Sequence, residues 1–153
     1  MSVKEAMSWT TWFLSTRSST TGKVSEKLQR KGFDPSTIEA VIAQCLEKKY
    51  LDDAAYADSV VNSRLRSGRK VGRILEAELR HKGISADVAR RVTVEASAES
   101  NLVGILVQYL SRKYSETTLA ALATDQKLRA KIFRHLLSRG YAYQTICEAL
   151  ANR

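Results

Sequence analysis

Apolar residues recur at helical spacing along this chain, and one arrangement is written three times. Val24 and Leu28 precede Gly32, Leu75 and Leu79 precede Gly83, and Ile132 and Leu136 precede Gly140. In each copy an aliphatic residue stands eight positions before the glycine and a leucine four before it, which places both on one helix face. A basic residue, Lys31, Lys82 or Arg139, comes just before the glycine, where the helix dipole favours a cation. The glycine supplies the left-handed helix end, and Phe33, Ile84 or Tyr141 behind it closes the hydrophobic contact. The glycines lie 51 and 57 residues apart, so the pattern predicts a tandem helical repeat.

A second helix follows each glycine. Asp34 caps the first, with Pro35 at its first position and Ile38, Val41, Ile42, Cys45 and Leu46 facing inward. Ser85 caps the next, whose core face is Val88, Ala89 and Val92. The third carries Ile146, Ala149 and Leu150 behind Ala142, a poor cap. A further helix begins at the Asp52 cap, turns Tyr56, Ala57, Val60, Val61 and Leu65 inward, and ends before Gly68. Its counterpart shows Leu102, Leu106, Tyr109 and Leu110. Residues 3–14, with Val3, Met7, Trp9, Phe13 and Leu14, predict a leading helix. Residues 115–124 read as a connector with a short helix over Leu119 to Ala123.

The expected organisation is a leading extension over 1–19, a three-helix repeat over 20–68, and a second over 69–114. A connector and an incomplete third repeat fill 115–153. The expected fold is all-α: tandem three-helix repeats in an elongated, curved, right- or left-handed solenoid-like array. Each module buries little core alone and gains stability by stacking. A long concave surface of this kind suits a macromolecule better than a small ligand.

Composition narrows the classes. One proline and seven glycines in 153 residues are too few turn signals for a β-sandwich, and 44% hydrophobic residues argue against disorder. Cys45 and Cys147 are far apart inside apolar helical patterns, so reduced, buried thiols are expected rather than a disulfide or zinc site. The apolar stretch from Leu102 to Val107 is too short to span a bilayer, and no signal-peptide pattern precedes it. A cytoplasmic protein without membrane contact is expected.

Few residues are candidates for chemistry. Asp52 and Asp53 are paired carboxylates, but at a helix start they are expected to cap amides rather than bind Mg²⁺ or move protons. His81 and His135 have no ligand partner at metal spacing and read as helix-surface or dipole-pairing residues. No phosphate-loop motif occurs, and the Gly68 to Arg73 segment follows a helix and reads as a hinge between modules. Trp9 and Trp12 are expected to pin the leading helix. No catalytic residue, metal ligand or cofactor is expected.

Charge adds more. The chain carries 25 Lys+Arg against 16 Asp+Glu, a net charge of +9 and a pI near 9.8. The span from Arg64 to Lys82 carries net +5, and that from Arg17 to Lys31 net +4. The candidate contacts to a polyanion are Arg64, Arg66, Arg69, Lys70 and Arg73, together with Lys27, Arg30 and Lys31. Arg66, Arg69 and Lys70 are expected in solvent, where charge reversal leaves folding intact.

Several strings, in order, carry a resemblance. They are Arg17…Thr20…Lys27-Leu28…Lys31-Gly32-Phe33, then Tyr50-Leu51-Asp52-Asp53 with Tyr56-Ala57, then Lys82-Gly83-Ile84. Arg112-Lys113-Tyr114 and Leu136 to Tyr141 complete the series. From about Leu14 to Leu150 the chain resembles the RecX family of bacterial RecA regulators. Gly32, Gly83, Gly140, Leu28, Leu79, Leu136 and Tyr50 to Asp53 are then repeat signatures. Three positions depart from the family's pattern. Lys23 stands where an acidic residue completes a capping box with Thr20, Lys49 stands where glycine is usual, and one extra residue before Glu78 brings Leu75 inward. The resemblance implies a monomeric, non-enzymatic regulator, mainly an inhibitor, of RecA in DNA repair, homologous recombination and the SOS response. It implies binding in the groove of the RecA–DNA nucleoprotein filament, which limits filament growth, ATPase activity and strand exchange, with weak affinity for single- or double-stranded DNA. The residues alone leave open a basic helical protein acting directly on DNA and a helical scaffold whose charge only confers solubility.

Overall fold

The computed structural model describes residues 1–152, which form helices and, among the described residues, no strand. In order these are α1 (Val3–Thr16), α2 (Thr21–Arg30), α3 (Pro35–Glu47), α4 (Asp53–Ser67), α5 (Gly72–His81), α6 (Ala86–Ala98), α7 (Leu102–Lys113), α8 (Glu116–Ala121), α9 (Gln126–Ser138) and α10 (Tyr143–Ala151). Side chains of Thr20, Asp34, Asp52 and Ser85 accept from backbone amides at the starts of α2, α3, α4 and α6. Ala142 provides no side-chain cap to α10. Gly32, Gly83 and Gly140 are left-handed, as the thrice-written pattern requires. Lys49 also takes φ 59°, the conformation for which glycine is the usual choice.

Packing groups the helices one element earlier than the division at residues 19, 68 and 114. α1, α2 and α3 share a core of Ala6, Phe13, Val24, Leu28, Val41 and Cys45. α4 packs on α5 and α6, setting Ala57, Val61 and Leu65 against Leu75, Leu79 and Ala89. α7 packs on α10, which meets α9, through Leu106, Leu110, Ile132, Leu136 and Ile146. The leading helix therefore belongs to the first module, and α7 completes the third. Periodicity marks which face of a helix is apolar but not which neighbour covers it. Leu75 is fully buried and Ile74 is exposed, as the extra residue demands. Leu46, expected inward, is 47% exposed at the end of α3.

Two of the three repeat glycines, Gly83 and Gly140, are docking points between modules. At Gly83 an added Cβ would lie 2.5 Å from Thr20 Oγ1 and 2.8 Å from Lys23 N, at the start of α2. Thr20 Oγ1 donates to Lys82 O, and Asp53 Oδ1 accepts from Thr21 N at 2.9 Å and Thr21 Oγ1 at 3.1 Å. The start of α5 meets the third glycine in the same way. Val71 N donates to Arg139 O at 3.0 Å, and a Cβ on Gly140 would overlap Val71 O. Tyr141 Oη donates to Gly68 O at 2.6 Å in the interior. The Gly68 to Arg73 segment is thus pinned by the third module and is not a free hinge.

The α4–α10 core is continuous, whereas the α1–α3 core stands apart. The accessible surface is 9488 Å². A compact monomer of this mass exposes about 7,800 Å². The difference belongs to an extended array of small modules.

Candidate polyanion-binding surface

The first-module cations lie over aromatic rings. Arg17 and Lys27 stand 5.2 and 5.4 Å from the Phe13 ring centre, and Lys31 stands 4.9 Å from that of Trp9. Trp9 stacks on Phe13 within α1 at 5.1 Å, packs against the first-module core and takes Lys31 from the end of α2 over its ring, so it pins α1 as expected. Trp12 does not, being 60% exposed. Glu26 pairs with Lys23 and Arg30, leaving an excess of cations at the end of α2.

The second cluster divides into two classes. Arg64 Nε is 2.9 Å from both Glu78 carboxylate oxygens, and Lys70 Nζ is 2.9 Å from Glu78 Oε1. Glu78 is only 11% exposed. Burial alone would raise its pKa, but the hydrogen bonds and charges of Arg64 and Lys70 outweigh that and hold the carboxyl below its usual range. Arg64 and Lys70 are therefore half-buried structural cations that tie α4, the α4–α5 loop and α5 together. This corrects the expectation that Lys70 stands free in solvent. Arg66, Arg69 and Arg73 are exposed.

Three cations that the sequence reading named, but not among the polyanion contacts, join this junction. Arg112 Nη2 donates to Ser67 O at 3.0 Å and Arg66 O at 3.4 Å, satisfying carbonyls at the end of α4. Lys113 follows it on α7, and Arg139 caps α9. Arg69, Lys70, Arg112, Lys113 and Arg139 stand around a cleft of about 620 Å³, with Ser67 and Tyr109 in its wall. Arg139 Nε is buried without a hydrogen-bond partner among the described residues. The local signal for these three was a basic residue near a helix C-terminus, which the dipole explains without a ligand. Only the stacking of modules brings them to one place.

His135 lies beneath them. Its Nε2 is 2.9 Å from Tyr109 Oη and 3.2 Å from Lys113 Nζ. An ammonium only donates, so Nε2 accepts and the ring is neutral. Burial first, then the charges of Lys113 and Arg139, lower its pKa. This histidine is not a dipole-pairing cation, whereas His81 is exposed on α5. Asp52 Oδ1 accepts from Ala55 N at 3.1 Å, and Asp53 is engaged with Thr21, so both carboxylates serve helix starts.

Family comparisons bear on the modules directly. The profile "RecX, first three-helix domain" matches residues 11–45, and "RecX, second three-helix domain" matches residues 52–92. These spans fall on α1–α3 and α4–α6. "Regulatory protein RecX" of Syntrophotalea carbinolica is 33% identical over 129 residues, 84% of this chain and 83% of that protein. The chain belongs to the RecX family. The protein of the same description from Yersinia pseudotuberculosis is 37% identical over 74% of this chain, which covers 58% of the relative's length. The crystal structure of RecX from Lactobacillus salivarius matches with a TM-score of 0.82 at 20% identity, covering 98% of this chain and 95% of that one. At that identity the likeness speaks for the fold alone, and it extends to the third module. Among the described residues no helix is long and apolar enough to cross a membrane.

Proposed function

We propose that the chain regulates the RecA–DNA filament, lying along its groove across neighbouring protomers and limiting growth, ATP turnover and strand exchange. The observation that carries this is an extended array of three-helix modules whose second and third members join at a cleft ringed by five cations. An extended basic body presents repeated contacts to an extended acidic target, and weak contacts add when they can engage together. Family membership supplies RecA as the target, by the implication drawn from the sequence resemblance. The first module adds its own cations, Lys27, Arg30 and Lys31, for a second point of attachment.

The protein then prefers coated to bare DNA. Retention on an immobilised oligonucleotide, with and without RecA and a non-hydrolysable nucleotide, tests this at physiological salt. We expect strong retention on the coated strand and weak retention on the bare one. Equal retention on both would instead favour direct action on DNA.

A further inference from the structure

The cleft at the second junction has features that a general basic surface lacks. Its cations come from three separate segments: the α4–α5 loop, the end of α7 and the end of α9. Like charges gathered in one concavity repel, so their positions must be held by other contacts. Arg112 is fixed by two backbone carbonyls, Lys113 by His135, and the Arg139 backbone by Val71 N. No carboxylate lines the cleft among the described residues, and Glu78 beside it is already shared by Arg64 and Lys70. The buried Arg139 Nε lacks a partner within the described chain. The array is thus organised for a multiply charged anion before one arrives.

The wall also shows what is not read. Tyr109 is 7% exposed, with its ring stacked on His135, so it presents no open face to a nucleobase. Arginine forks match phosphate oxygens, and a nucleic-acid strand offers a phosphate charge about every 3.4 Å. An acidic protein segment carries its charges at the ends of rotatable side chains, which lose rotamer freedom when a cleft fixes them.

We propose that this cleft seats the sugar–phosphate backbone of a nucleic-acid strand and does not read its bases. The proposal rests on the reading that the chain works on a protein–DNA filament, and it assigns the DNA contact to Arg69, Arg112, Lys113 and Arg139.

Anisotropy of a labelled oligothymidylate at low salt tests it with the full chain. Arg69→Gln/Lys113→Gln removes two exposed cleft cations, and Arg129→Gln/Lys131→Gln removes two exposed cations elsewhere on α9. We expect the cleft variant to lose about tenfold in affinity, with a log-salt slope shallower by about 1.4, or 0.7 for each lost phosphate contact. The control should lose about threefold or less, and both melting temperatures should match that of the parent chain. Arg112→Gln, which also deletes the carbonyl contacts, should weaken binding further. An abasic backbone of equal length should bind about as well as the oligothymidylate, and poly-glutamate at equal charge should fail to displace it. Equal losses in cleft and control variants, collapse of binding on the abasic strand, or displacement by poly-glutamate would each overturn the proposal. The filament reading fails separately, if the parent chain leaves RecA turnover unchanged whatever the cleft does.

Discussion

Arg69 and Lys70 are neighbours in sequence with different roles. Arg69 is exposed, whereas Lys70 joins Arg64 in holding Glu78. Arg66→Glu/Arg69→Glu should shift stability by no more than about 0.5 kcal/mol per site. Lys70→Glu should destabilise by about 1–3 kcal/mol, because it removes a charge-assisted hydrogen bond and sets a second carboxylate beside Glu78. Denaturant titration of the two variants checks the contrast. Composition showed the cationic cluster, but not which cations were already spoken for, because Glu78 lies a helix away from Arg64. His135 carries a separate test. Its protonation is disfavoured in the folded chain, so the native state binds fewer protons there than the unfolded one. That contribution is full above the unfolded histidine value of about 6.5 and is lost as pH falls through the lower native value. Melting temperature should therefore fall more steeply between about pH 7.5 and 5.5 in the parent chain than in His135→Gln. Equal slopes would show that the imidazole is free to charge.

At the scale of the helix, the ends were more legible than the neighbours. Caps at Thr20, Asp34, Asp52 and Ser85 and the left-handed glycines follow from local backbone chemistry, which a sequence carries in full. The seating of one helix start on the next glycine turn depends on how modules stack, and no local pattern encodes it. Gly22 shows the consequence. By helix propensity, Gly22→Ala should stabilise α2 by up to about 1 kcal/mol. A Cβ there would lie 2.5 Å from Gly83 O and 2.8 Å from Gly83 Cα, both backbone atoms. We expect net destabilisation instead, read as a lower melting temperature. Gly83→Val should be worse, since it adds left-handed strain of about 1–2 kcal/mol to the clash with Thr20. A melting temperature at or above the parent value for Gly22→Ala would show that the two modules are not seated this way.

At the scale of the molecule, an all-helical tandem array was evident from the repeated glycine pattern alone. Its phase was not, because α4 has one apolar face and two candidate neighbours in sequence, and the choice is made by packing against Leu75, Leu79 and Ala89. The same stacking gathers Arg112, Lys113 and Arg139 beside Arg69, so the cleft was invisible until the third module was in place. Extension and clustered charge together fit a long acidic partner, and the decisive property is action on the RecA filament itself. The most direct measurement is single-stranded-DNA-dependent ATP hydrolysis by RecA, titrated with this protein at a salt concentration where it does not retain bare DNA. We expect hydrolysis to fall progressively at protein concentrations below that of RecA, because on the proposed function one extended molecule would cover more than one protomer. Unchanged hydrolysis up to equimolar protein would contradict filament regulation.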